Sequence, residues 1–434
     1  MNNLVKSSGI DWIGSIPSDW KCERIKNILC ERNETNKPIK TEDILSLTND
    51  RGVIPYSEKG AIGNNSKDDL TGYKLAYPND IVLNSMNVII GSIGLSKYFG
   101  CVSPVYYMLY LRNKNDSIEY FNYLFQTKEL QNRLKGYGNG IMEIRMRIQM
   151  SKLNTVMLPY PPSKVQFAIV NKIKESEAKI DLLISNQKRQ IQKLEDYKLS
   201  TITKTVTLGI NKNIETKDSN IAWIGSIPSN WSTIKIKFTS WLKGRIGWDG
   251  LKSSEFIDEG PFLITGTDFQ NGTINWNTCV HISNERFEQD KELHINENDL
   301  LITKDGTIGK LAIVKNCPEK VSLNSGVMII RNNSAFKYDS KYLYYILSSN
   351  QFLLWYQLSQ SGNSTIKHLY QGQFYNFQYT FPPYSEQEKI ANFLDVEIAN
   401  IERLIEIKKE KVNKMLEYKK ALIYEYVTGK KESI

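Results

Sequence analysis

The sequence predicts an α+β protein built as an internal repeat: two mixed α/β modules, each followed by one long helix. Three observations carry this reading. The stretch Ile10 to Trp20, I-D-W-I-G-S-I-P-S-D-W, returns at Ile221 to Trp231 as I-A-W-I-G-S-I-P-S-N-W, with nine of eleven positions identical at an offset of 211. A Pro-Pro pair opens a long helical pattern twice, at Pro161-Pro162 and at Pro382-Pro383. At an offset of 221, Gln166/Gln387, Ile169/Ile390, Asn171/Asn392, Ile180/Ile401, Tyr197/Tyr418, Lys198/Lys419 and Ile202/Ile423 match between those helices. A repeat this long marks whole domains rather than small stacked units.

Taken in order, Pro17 and Pro228 fix turns in the opening phrases, and the paired tryptophans are anchors that pack beside something long. In the first module, Asp80-Ile-Val-Leu83 and Val105 to Tyr110 have the short apolar pattern of strands, and Tyr120 to Leu134 has that of a helix. A Gly-rich loop follows at Gly136-Tyr-Gly-Asn-Gly140. The second module echoes this plan: Asn298-Asp-Leu-Leu-Ile302 repeats Asn79-Asp-Ile-Val-Leu83, and Gly306-Thr-Ile-Gly309 repeats Gly91-Ser-Ile-Gly94. Tyr342 to Leu358 repeats the aromatic helix, and Ser361 to Ser364 repeats the loop. A shared framework with divergent residues between its landmarks suggests one fold with two specificities.

The long helices close on Val-Thr pairs, with Gly209 and Gly429 as stops. The second keeps a heptad seam of Ile398, Ile401, Ile405, Val412, Met415 and Leu422, interrupted by Lys408 and Lys419. The first keeps Ile173, Ile180, Ile184, Ile191 and Leu194, interrupted by Gln187 and Lys198. Such seams need a partner helix, and each copy is the economical partner of the other. The expected domains are residues 1–160, the first module; 161–208, the central helix; 209–220, a polar linker; 221–381, the second module; and 382–434, the distal helix.

The 434 residues carry a net charge of +9. Residues 20–158 net +5, residues 163–206 net +4, and residues 231–380 only +1. This balance permits nucleic acid as a partner, and without a polybasic tail any binding rests on placed residues. No apolar run suits a membrane span and no signal peptide opens the chain, so a cytoplasmic protein without a membrane partner is expected. Five scattered cysteines and three dispersed histidines make neither a disulfide framework nor a zinc-ligand spacing.

With these motifs in their order, the chain resembles the specificity (S) subunits of Type I restriction-modification systems. The resemblance rests on the repeated W-I-G-S-I-P-S-x-W phrase, the repeated Pro-Pro-x-x-x-Gln-x-x-Ile helix start, and the alternation of module and helix. The second half is the closer match, through Pro382 to Ile390 and Asn298 to Lys310; the first helix start departs in having Lys164-Val165 where a Ser-Glu pair is usual. The resemblance implies two target recognition domains, each reading half of a bipartite DNA site. It implies that the long helices form an antiparallel coiled coil and dock two methyltransferase (modification) subunits, with room for restriction/translocase subunits. A pseudo-two-fold repeat fits such a task, because it offers two readers to one duplex.

No cofactor, metal or catalytic residue is expected. Phe381-Pro-Pro-Tyr384 imitates an adenine-methyltransferase signature, but phenylalanine cannot accept the hydrogen bond that the signature's first residue must accept. No phosphate-cradling G-x-x-x-x-G-K-[ST] loop is present either. The alternatives are a methyltransferase in its own right and a coiled-coil structural adaptor without nucleic acid. Candidate DNA-binding residues in the first module are Arg133, Lys135, Tyr137, Asn139, Arg145 and Arg147. Those in the second are Lys243, Arg245, Lys304, Lys310, Asn363, Lys367 and His368. Arginine and lysine neutralise phosphate or read guanine, and asparagine pairs with adenine. Trp248 and Trp276 are candidates for stacking on bases or for core packing.

Overall fold

The computed structural model of the chain describes residues 4–49, 51–60, 69–86, 91–139, 147–211, 213–245, 251–360 and 368–432. It divides into two compact units. The first comprises Met1–Gln187 with Glu410–Ile434, and the second comprises Lys188–Lys409. Each unit therefore holds one module, part of the helix Ser163–Leu208 and part of the helix Tyr384–Val427.

In the first unit, a four-stranded antiparallel sheet runs in the order Leu29–Arg32, Tyr106–Leu111, Ile81–Asn84, Ile93–Leu95. In the second, Ser240–Gly244, Val327–Asn332, Leu300–Thr303 and Leu311–Ile313 follow the same order. The Asn-Asp repeat is legible in this geometry. Asn79 (φ 68°) and Asn298 (φ 69°) both take the left-handed turn that leads into the central strand. Each following aspartate is buried and bridged to an arginine, Asp80 to Arg32 and Asp299 to Arg331.

The other glycine echo is not structurally equivalent. Ladder register places Leu83 opposite Ile93 and Ile302 opposite Leu311, so Gly94 lies within its strand. Gly306 and Gly309 lie in the turn that precedes theirs. Gly94 is required by close approach, since a Cβ there would stand 2.8 Å from the Gly52 Cα.

Each expected aromatic helix is two helices, Ile118–Phe125 with Lys128–Lys135, and Ser340–Leu347 with Asn350–Ser359. The breaks have a local cause. Thr127 and Ser349 are extended N-cap residues, and the Thr127 hydroxyl donates back to the Leu124 carbonyl at 2.7 Å. Apolar periodicity continues across both breaks and hides them.

The seams are buried much as the heptads require. Ile173, Ile180, Ile184, Val412 and Leu422 join the core of the first unit, and Ile398, Ile401 and Ile405 that of the second. Within each unit the two helices run antiparallel. In the second, Lys408 donates to Gln190 at 2.6 Å while Lys198 pairs with Glu402. In the first, Lys419 reaches Asp181 at 2.9 Å, and the Tyr120 hydroxyl touches both Pro159 and Val427 carbonyls. The lysines that interrupt the seams thus find acceptors on the facing helix.

Strand Thr216–Asp218, in the stretch read as a linker, pairs with Ser226–Pro228 in the second opening phrase. In the first unit Val5–Ser7 pairs likewise with Ser15–Pro17. The ribbons bring their tryptophans onto helix ends. Trp231 lies against Gly209 (φ +77°), and Trp20 and Pro17 lie against Gly429 (φ +73°). Gln166 and Gln387, both fully buried, tie each helix start to the module by accepting from the Ser117 and Asp339 amides at 2.9 and 3.0 Å. Phe381-Pro-Pro-Tyr384 is such a helix start, with Phe381 ending strand Gln378–Phe381. No helix among the described residues is long and apolar enough to cross a membrane.

Candidate nucleic-acid interface

In the second unit, strands Ser240–Gly244 and Leu300–Thr303 finish at the sheet end where Val327–Asn332 and Leu311–Ile313 begin. Lys243, Arg245, Lys304, Lys310 and His368 all come to this end, the last because the Leu369 amide donates to the Lys304 carbonyl at 3.0 Å. Their environments differ. Lys310 is exposed, its ammonium 3.4 Å from the Gly266 carbonyl. Lys243 is half-buried and paired with Glu292. His368 is a quarter exposed, its Nδ1 against the Asp305 carboxylate and its ring 4.4 Å from that of Tyr370.

Two candidates do not face solvent. Arg245 is 1% exposed, and its Nε donates to the Leu323 carbonyl at 3.1 Å. Lys304 is 8% exposed, with its ammonium 2.9 Å from the Arg245 carbonyl. Burial lowers the Lys304 pKa below the ordinary lysine value. Expecting both as exposed contacts is therefore corrected: Lys304 fastens the end of Leu300–Thr303 to that of Ser240–Gly244, and Arg245 ties the latter to strand Val321–Leu323. A positive residue next to a loop carries no sign of this, because the acceptors are backbone carbonyls distant in sequence.

In the first unit, Arg133 and Lys135 are exposed in the last turn of helix Lys128–Lys135, with the Arg133 guanidinium 5.5 Å from the half-buried Tyr137 ring. Strand Gly138–Asn139 pairs with Arg147–Ile148, setting Asn139 opposite Arg147, which is exposed. Arg145, Asn363, Lys367 and Trp248 lie outside the described residues. Trp276 packs at the rim of a core cluster, its indole donating to the Lys315 carbonyl at 2.9 Å.

The two ends are built alike. Ile148, fully buried, donates its amide to the Ser85 carbonyl at 3.0 Å, as Leu369 (1% exposed) does to Lys304. Arg147 and His368, each one residue earlier, therefore hold equivalent positions. The sequence reading missed Asp305, Gln360 and Tyr370, which surround His368; Asp305, 63 residues away in sequence, is brought there by the fold. Among the described residues no group of three His, Cys, Asp or Glu side chains is placed to hold a metal ion.

Two like modules, each presenting a sheet end with its own polar side chains, define a two-headed binding protein. The family model for the Type I restriction modification DNA specificity domain matches residues 17–195 and again 248–417. The chain belongs to that family and carries two copies of its domain. The Type I restriction enzyme MjaVIII specificity subunit of Methanocaldococcus jannaschii is 23% identical, over 96% of this chain and 93% of that one. A further chain of that organism, MjaX, is 25% identical over 96% and 95%. Among solved structures, a chain from work on complex assembly and conformational transition of the type I R-M system has a TM-score of 0.69 at 13% identity, covering 95% of this chain and 98% of that one. The HsdS subunit from Thermoanaerobacter tengcongensis has a TM-score of 0.51 at 13% identity, covering 95% and 98%. These likenesses place the fold.

Proposed function

We propose that the chain is the DNA-recognition subunit of a Type I restriction-modification enzyme, working in the cytoplasm and transferring no methyl group itself. The first module reads one half of a bipartite site and the second reads the other. The observation that carries this is the pair of equivalent sheet ends bearing different side chains, Arg147 on one and His368 on the other, in a chain of the DNA specificity family. On this reading the first module contacts DNA through Arg133, Lys135, Tyr137, Asn139, Arg145 and Arg147. The second uses Lys243, Lys310, Asn363, Lys367 and His368, with Arg245 and Lys304 holding the end in shape. The net +5 of residues 20–158 against +1 of residues 231–380 gives the first module the larger share of phosphate attraction.

The long helices dock two modification subunits. Leu183 and Leu404, at equivalent positions, are 49% and 48% exposed, and Tyr197 and Tyr418 are 57% and 54% exposed. Apolar side chains left open twice over on a helix pair suit a partner present in two copies. Restriction/translocase subunits join through that assembly.

The test is purified full chain titrated with duplex DNA across a salt series, with and without a modification subunit. Binding is expected to weaken as salt rises, because phosphate contacts release counterions. Methyl transfer is expected only when the partner is present. Transfer by the rigorously purified chain alone, or no duplex binding under any condition, contradicts the proposal.

A further inference from the structure

We infer that His368, oriented by Asp305, reads one base of the second half-site, and that Arg147 holds the corresponding reading position in the first. The inference rests on the DNA-recognition reading above and adds the residue and the base chemistry. Arg147 and His368 precede buried anchors whose amides bond to the ends of equivalent central strands, both at 3.0 Å. The backbone at His368 is held a second time, since Gln360 donates to its carbonyl at 3.3 Å. The ring has two supports: the Asp305 carboxylate at Nδ1 and the Tyr370 ring, 4.4 Å away. A side chain held in backbone and ring plane, yet still a quarter exposed, is preorganised to read rather than merely to neutralise charge.

The tautomer decides what is read. A carboxylate accepts from Nδ1–H, so in the neutral ring Nε2 carries the lone pair and is an acceptor. In the major groove the groups that offer a proton are the amino groups of adenine and cytosine. Arg147 has only donors, and the acceptor pair it suits is O6 and N7 of guanine. Equivalent positions thus call for opposite chemistry: an amino-bearing base in the second half-site and guanine in the first. Asp305 is a positioning residue, since it acts through the imidazole.

The experiment is selection from a randomised duplex library by the full chain, comparing wild type with His368→Ala, His368→Arg and Asp305→Ala. Matched thermal melting curves serve as the check on folding. For wild type, one position of one half-site is expected to favour adenine or cytosine. His368→Ala should lower that discrimination roughly ten-fold, the size of one lost hydrogen-bond contact, and leave the other half-site unchanged. His368→Arg should move the preference to guanine, and Asp305→Ala should blur it without removing binding. An unchanged motif in the His368 variants overturns the inference while the DNA-recognition reading stands, as does a uniform loss of affinity across all sequences. A wild-type chain that selects no motif, either alone or with its modification subunit, overturns both.

Discussion

Asp80→Ala is expected to destabilise the first unit by about 3 kcal/mol, in the range found when one partner of a buried ion pair is removed. Asp80 is 1% exposed and accepts from Arg32 Nε at 2.8 Å, Arg32 Nη2 at 3.1 Å and the Tyr77 amide at 3.0 Å. Without it, the Arg32 guanidinium stays between the Tyr77 and Tyr110 rings, 4.5 and 4.7 Å from their centroids, with no carboxylate to neutralise it. Partial solvation of Arg32, whose side chain is 28% exposed, keeps the loss at the lower end of that range. A two-unit chain has no single unfolding free energy, so the measurement is amide hydrogen exchange resolved by strand. Exchange should quicken in Tyr106–Leu111 and stay unchanged in Val327–Asn332, with Asp299→Ala giving the reverse. A loss below about 1 kcal/mol would mean that the bridge is incidental.

Gly429→Val is expected to release the opening ribbon of the first unit. At φ +73° a β-branched residue is a genuine outlier, and the left-handed backbone alone costs about 1–2 kcal/mol. Its Cβ would also lie 2.4 Å from Pro17 Cδ and 3.1 Å from the Trp20 ring, so the ribbon must move. Limited proteolysis should then cut near Val5–Ser7 well before the rest of the unit. Equal resistance in variant and wild type would show that the tryptophan is not a clasp on the helix end.

The repeat was legible because its landmarks are local: a left-handed Asn before a buried Asp, a Pro-Pro helix start with its Gln, a glycine stop under a tryptophan. Pairings that jump between strands were not legible. The residue bridged to the aspartate comes from the edge strand in the first unit, Arg32, and from its neighbour in the second, Arg331. Strand register explains the exchange. Cys30 faces Tyr110 and Trp241 faces Arg331, so the second arginine sits where the first unit keeps its tyrosine, with Trp241 as its aromatic neighbour at 5.6 Å. Lys243 inherits the place of Arg32 and turns to Glu292 instead. The site divided in the same way. Position along the chain brought Lys243, Lys310 and His368 to one sheet end, but burial of Arg245 and Lys304 depends on carbonyls 59 to 78 residues away.

The most direct test of two independent readers is to replace residues 20–158 with the corresponding module of another specificity subunit and to map methylated motifs in cells by single-molecule sequencing. One half of the bipartite motif should change to that of the donor, while the other half stays as it is in cells carrying the unaltered chain. A motif altered in both halves, or in neither, would contradict the account.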